Sequence, residues 1–234
     1  MRINKYIAQS GICSRRKADE LISNGNVKIN GAVMKEPGYD VQEGDTVSVN
    51  GRNIETAVKP VYVLINKPYG VVTTVSDDRD RATVMEVVKD IDARLFPVGR
   101  LDYNTTGALI MTNDGEMAYR LTHPKHEVWK TYRARVAGVL SNEKMFRLRK
   151  GVDIGGFVTS PAKVNIIKGN AHSTIVEISI REGKNRQVRK MFAAVGNPVQ
   201  ELERIAIGEI RLGHLKEGHY RKLSREEIEY LKNC

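Results

Sequence analysis

Apolar residues along this chain recur with two periods, one helical and one alternating. Ile3, Ile7 and Ala8 are spaced for one helix face. Ala18, Leu21 and Ile22 repeat that spacing behind Ser14, whose hydroxyl suits a helix N-cap. Asn24-Gly25 closes this second helix. Val27-Lys28-Ile29 then alternates into Asn30-Gly31, and Thr46-Val47-Ser48-Val49 into Asn50-Gly51. Asn-Gly between alternating segments favours a tight hairpin. Residues 1–54 are therefore expected to form a small unit of two short helices followed by a small sheet. Residues 52–60 are mostly polar and end in Pro60, and 55–60 are expected to be the linker.

Residues 61–234 show a different pattern. Residues 61–65 form an apolar run that stops at the turn Asn66-Lys67-Pro68-Tyr69-Gly70, and 71–74 resume as a strand. Residues 95–98 and 108–111 are apolar runs on either side of a polar turn, 99–107. Residues 132–137 and 174–180 alternate like half-buried strands. Ser141 caps a helix expected to run through Arg149. Ser224-Arg225-Glu226-Glu227 is a capping box opening a C-terminal helix, with Ile228 and Leu231 inward. Strands outnumber helices and many are spaced as hairpins. The expected fold class is α+β, a mixed, mainly antiparallel sheet flanked by helices behind the small N-terminal unit.

Charge then narrows the partners. The 234 residues carry a net charge of +10, of which residues 1–58 contribute only +1 and 59–234 contribute +9. Such an excess suits a polyanion, with RNA, DNA and acidic lipid all eligible. No apolar run approaches the roughly 20 residues that span a bilayer. The N-terminus leads into no signal core, and two cysteines, Cys13 and Cys234, make no disulfide framework. A cytoplasmic protein without membrane attachment is expected.

Three segments could carry chemistry. The turn 99–107 holds Asp102 between two buried strands, where it is either a turn former or a rigidly presented catalytic carboxylate. The segment 181–192 opens a helix whose apolar stripe is Val188, Met191, Phe192 and Val195. Arg186, Arg189 and Lys190 lie on its other faces, either as solvated charges or as phosphate contacts. Lys184 precedes the helix, in a turn from which it could pair with a carboxylate. Trp129-Lys130-Thr131-Tyr132 puts aromatics beside cations at a strand start, as a packed core edge or as a platform for a base. Arg15, Arg16 and Lys17 crowd the first turn of the second helix, where cations oppose the helix dipole and an external phosphate would offset the cost. Phosphate-binding and dinucleotide-binding glycine motifs are missing, and His123 and His126 lack the partners of a metal site. Neither metal nor organic cofactor is expected.

Taken together and in this order, these segments resemble the pseudouridine synthase family that acts on ribosomal RNA. Gly99-Arg100-Leu101-Asp102 with Thr106-Gly107 is similar to its catalytic-aspartate motif. Lys130-Thr131-Tyr132 is similar to its tyrosine motif, and Glu182 through Arg189 to its basic motif. The turn at Lys67-Pro68 matches a further family turn, and residues 1–54 resemble the alpha-L RNA-binding module. The resemblance implies isomerisation of a uridine within RNA, and members that modify large-subunit RNA look most similar. It implies Asp102 as the essential carboxylate, Tyr132 stacking on the uracil, and Lys184 as the cation that keeps Asp102 ionised. Relatives often carry arginine at the position of Lys184. Arg100 would fill the space vacated by the flipped uridine and Val188 would touch the base edge. Arg186, Arg189, Lys190, Lys67, Arg15, Arg16 and Lys17 would hold RNA. The implied partner is ribosomal RNA or a precursor particle, met by a monomer. A small-subunit enzyme and a catalytically silent assembly factor are the alternatives.

Overall fold

The computed structural model describes residues 1–56 and 59–234, so Ala57 and Val58 of the expected linker lie outside the described residues. The chain divides into two compact units, Met1–Val61 with Asn113–Gly115, and Tyr62–Thr112 with Glu116–Cys234.

In the first unit, α1 (Ile3–Gln9) and α2 (Arg15–Ser23) precede β1 (Val27–Ile29), β2 (Ala32–Val33), β3 (Val47–Val49) and β4 (Arg52–Asn53). Ser14 caps α2 by accepting from the Lys17 amide. The strands form an antiparallel sheet in the order β2-β1-β3-β4. Its two hairpins turn at Asn30-Gly31 and Asn50-Gly51, all four residues having positive φ between 49° and 86°. That is the backbone of a type I′ turn, which glycine adopts freely and asparagine tolerates. Ile3, Ile7, Ala18 and Ile22 bury their side chains against Val27, Val47 and Val49.

The second unit is built on a nine-stranded sheet. Its elements are β5 (Tyr62–Lys67), β6 (Phe96–Pro97), β7 (Thr106–Thr112), α3 (Gly115–Thr122), β8 (Lys130–Ala137) and α4 (Asn142–Lys150). They continue with β9 (Lys163–Gly169), β10 (Ser173–Ile180), α5 (Gln187–Ala194), β11 (Val199–Ile207), β12 (Ile210–Arg211), β13 (Tyr220–Lys222) and α6 (Arg225–Lys232). The main path is β13-β5-β7-β11-β8-β10-β9, with β12 on β11 and β6 on β7. Among the described residues β7 and β11 are the one parallel pair, with Gly107 opposite Arg204. One core packs Met191 and Phe192 of α5 and Leu148 of α4 against β8 and β10. A second packs Met117 and Leu121 of α3 and Leu231 of α6 against β5 and β7. The α+β class with a mixed, mainly antiparallel sheet is the observed architecture.

Two differences from the expected elements matter. Residues 71–74 form no strand, for Val72 makes only an isolated bridge with Thr83. The strand β11, absent from the expectation, runs through the centre of the sheet. Its inward positions include Arg204, which is only 5% exposed, and a buried arginine breaks the apolar alternation that would have marked the strand.

Candidate active site

Asp102 sits on the loop between β6 and β7. The loop's shape is imposed from below by Lys67, the last residue of β5. Lys67 is completely buried, and its ammonium donates to the carbonyls of Pro68 at 2.9 Å and Thr105 at 3.0 Å. Burial pulls its pKa down to about 8, with Glu217 and Asp102 acting in the opposite sense. Lys67 therefore has no access to RNA, which corrects the expectation that it binds substrate. Its donors instead gather the backbone around Asp102. Thr73 adds a second tie, its hydroxyl donating to the Leu101 carbonyl at 2.9 Å. Replacing Lys67 with methionine is expected to leave these carbonyls without a donor, costing ~2–3 kcal/mol. A loop displaced by even ~1 Å loses on the order of 100-fold in turnover. Thermal unfolding together with a turnover assay checks both, and a variant matching wild type in each would contradict the clamp.

The Asp102 carboxylate does not cap its own turn: the bond closing the turn runs from the Thr105 amide to the Asp102 backbone carbonyl. Its Oδ2 lies 3.9 Å from Arg186 Nη1 and 3.9 Å from Arg189 Nε. Both arginines come from the start of α5. Arg189 is nearly buried and also donates to the Asn104 carbonyl at 2.7 Å and to the Thr105 hydroxyl at 3.3 Å. Burial and the neighbouring Arg186 push the Arg189 pKa down, while Asp102 acts to raise it. Arg189 is thus committed to the aspartate loop rather than turned toward solvent phosphates. Arg186 and Lys190 remain exposed.

Lys184 is not the cation against Asp102. It lines the same pocket, but its ammonium rests over the Phe157 ring, 4.6 Å from the centroid. The turn before α5 is set by the buried Gln187, a residue sequence reasoning missed. Its side chain accepts from the Lys184 amide at 3.0 Å and donates to Glu182 at 3.2 Å. Arg186 precedes the helix in left-handed backbone, φ 52°, and turns toward Asp102.

Around the carboxylate, Tyr132, Val188, Ile180 and Arg100 complete one pocket with Asp102 and Lys184. Tyr132 comes from β8, opposite Arg204 of β11, and Val188 is buried on α5. Arg100 is exposed beside Asp102. Trp129 lies apart, with Lys163 and Arg181 standing over its ring at 4.5 and 4.8 Å, so cations engage the surface expected to stack a base. His123 and His126 pack near Tyr119 at the surface, and no cluster of three metal-ligating side chains occurs among the described residues. In the first unit Arg15, Arg16 and Lys17 are exposed. Lys17 pairs with Glu20 at 2.6 Å, while Arg15 donates to the Asn4 amide oxygen at 3.3 Å.

A carboxylate on a clamped loop, facing a tyrosine and an apolar base-sized contact, with arginines around it, suits an enzyme that works on a nucleobase. Residues 61–194 match the family model described as RNA pseudouridylate synthase, and residues 1–47 match the S4 domain. The chain is 42% identical to a ribosomal large subunit pseudouridine synthase B of Bacillus subtilis, over 99% of this chain and 95% of that protein. It is 40% identical to an uncharacterized RNA pseudouridine synthase of Aquifex aeolicus, over 99% and 93%. A crystal structure of a pseudouridylate synthase superposes with a TM-score of 0.69 at 33% identity, covering 99% of both chains. The chain belongs to the RNA pseudouridylate synthase family. No helix among the described residues is long and apolar enough to cross a membrane.

Proposed function

We propose that this protein converts one specific uridine of large-subunit ribosomal RNA to pseudouridine, with Asp102 as the catalytic carboxylate. The observation that carries this reading is the convergence of Asp102, Tyr132 and Val188 in one pocket of a family member. The large-subunit assignment draws on the full-length likeness to the Bacillus subtilis protein.

In the reaction the bond from uracil N1 to the ribose C1′ breaks, the base turns, and C5 bonds to C1′. The proton lost from C5 is balanced by one gained at N1, so no co-reactant is consumed. Asp102 acts on the nucleotide as nucleophile or as base toward the sugar. The guanidiniums of Arg186 and Arg189 stand 3.9 Å from it and bring positive potential to the reacting carboxylate. Tyr132 stacks on the uracil while Val188 touches the base edge. Lys184 lines the wall of the pocket and adds positive potential. Arg100 enters the space left in the RNA, offsetting part of the few kcal/mol that flipping costs. Residues 61–234 form the catalytic part, acting in the cytoplasm on ribosomal RNA or its precursor particle.

Mapping pseudouridines in ribosomal RNA from cells with and without this gene tests the reading. Loss of a single pseudouridine from the large-subunit RNA is expected. A loss confined to the small-subunit RNA would move the target, and an unchanged map would leave an RNA-binding assembly factor.

Residues 1–54 are proposed to hold RNA phosphates through Arg15 and Arg16. Changing both to glutamine in the full chain is expected to reduce the slope of log affinity against log salt by about 0.7–0.9 for each phosphate no longer held. An unchanged slope in a binding titration would assign this unit another task.

A further inference from the structure

Beside the Asp102 pocket, and sharing Arg100, Tyr132 and Lys184 with it, lies a cavity of about 490 Å³. Its wall includes Lys130 and Arg204, two cations that the chemistry above does not use. They reach it by strand geometry. Lys130 lies two residues before Tyr132 on β8, and Arg204 pairs with Tyr132 across β11. All three side chains thus share one face of the sheet.

The cations on the opposite face of β8 show what an ordinary charge does here. Arg133 pairs with Glu177 and Glu203, and Arg135 with Glu201. Among the described residues neither Lys130 nor Arg204 pairs with a carboxylate. Among the described residues the Lys130 ammonium makes no hydrogen bond, although it is largely buried and burial brings its pKa down to about 8, Arg204 adding to the effect. Arg204 spends its Nε on the Ala108 carbonyl at 2.7 Å, and its buried Nη2 has no partner among the described residues. The two acids of the cavity wall are engaged elsewhere. Glu127 is held by Arg181, and Glu182 accepts from the Ser160 amide and from Gln187. An arginine 5% exposed with an orphaned nitrogen, beside an unneutralised lysine, is costly unless an anion completes it.

We propose that Lys130 and Arg204 form a phosphate subsite, which takes a backbone phosphodiester adjoining the flipped uridine. The proposal rests on Asp102 being the uridine-isomerising site. A base seated against Tyr132 brings its own flanking phosphates close to this face. A guanidinium and an ammonium lining one cavity are suited to a phosphodiester. The subsite holds the strand while the base is out of the stack.

The test uses the full chain and a transcript of the large-subunit ribosomal RNA encoded alongside it. Lys130→Met keeps the length of the apolar stem and removes the charge. Equilibrium binding between about 50 and 200 mM salt should give a slope smaller by roughly 0.7–0.9, one phosphate's share, while Lys130→Arg keeps the wild-type slope. KM should rise with kcat changed less than about threefold, since the interaction forms on binding and persists in the transition state. The melting temperature of Lys130→Met should equal or exceed that of wild type, because a buried charge without a partner is removed. A lower melting temperature with an unchanged slope would overturn the subsite in favour of a structural lysine. A lower kcat with unchanged slope and KM would overturn it in favour of a role in the chemistry. In a synthetic stem-loop around the mapped uridine, a neutral methylphosphonate at one flanking linkage should weaken wild type and leave Lys130→Met unchanged. Equal weakening of both would place the phosphate elsewhere. Tritium release from RNA labelled at uridine C5 follows the isomerisation separately. Its absence in wild type would defeat the reading of Asp102, whereas binding slopes judge the subsite without turnover.

Discussion

Asp102→Asn is expected to bind RNA at least as well as the unaltered protein and to form no measurable pseudouridine. The fall in turnover should be roughly 10³-fold or more, as for other enzymes stripped of their reacting group. Asparagine matches aspartate in shape, so the outcome separates charge from packing. The loop does not depend on that charge, because Lys67, Thr73 and Arg189 hold its backbone carbonyls directly. What asparagine lacks is a lone pair basic enough to attack carbon or take a proton. With the carboxylate gone, Arg186 and Arg189 lose a neighbouring negative charge, which leaves the pocket more attractive to phosphate. Tritium release from C5-labelled RNA and a filter-binding titration on the same preparation measure the two properties. Activity within about tenfold of wild type would contradict the catalytic assignment.

Gly107→Ala is expected to produce a large loss of stability from a single methyl group. Gly107 has φ 106°, a region that L side chains rarely adopt, so any replacement is strained by ~1–2 kcal/mol. A Cβ there would lie 2.3 Å from the Arg204 carbonyl oxygen and 2.7 Å from the Arg204 amide nitrogen. Both atoms belong to backbone in the middle of the sheet and cannot rotate away. Overpacking of this kind costs a further ~1–3 kcal/mol. Together these approach half the stability of a marginal domain, and the melting temperature should fall by on the order of 10 °C. A melting curve within a degree or two of wild type would mean that β7 and β11 can separate without penalty.

Elements with local chemical signatures were legible in the chain. Ser14, Ser141 and Ser224 each cap the helix they announce, and the two Asn-Gly pairs turn the two hairpins. Asp102, Tyr132 and Val188, each singled out by its motif, line one pocket, and the roles given to them there are the proposal above. What stayed hidden depends on partners distant in sequence. A lysine beside a proline turn looks like a surface cation, and nothing local shows that Thr105, 38 residues on, supplies its acceptor. The cation against Asp102 was misplaced for a related reason. The left-handed residue at the start of α5 decides which basic side chain turns inward, and a run of arginines and lysines does not display that backbone choice. β11 was missed because a strand containing a buried arginine has no simple apolar rhythm.

The buried ammonium of Lys67 has a consequence for how substrates are chosen. Opening the aspartate loop would strip that buried ammonium of its carbonyl oxygens, so the protein side of the encounter is stiff. The deformation needed to bring base and carboxylate together then falls on the RNA. Among uridines of similar surroundings, those in weakly stacked or already distorted positions are the least costly to extract. Selection of the target becomes partly a measurement of RNA mechanics, performed by a rigid gauge.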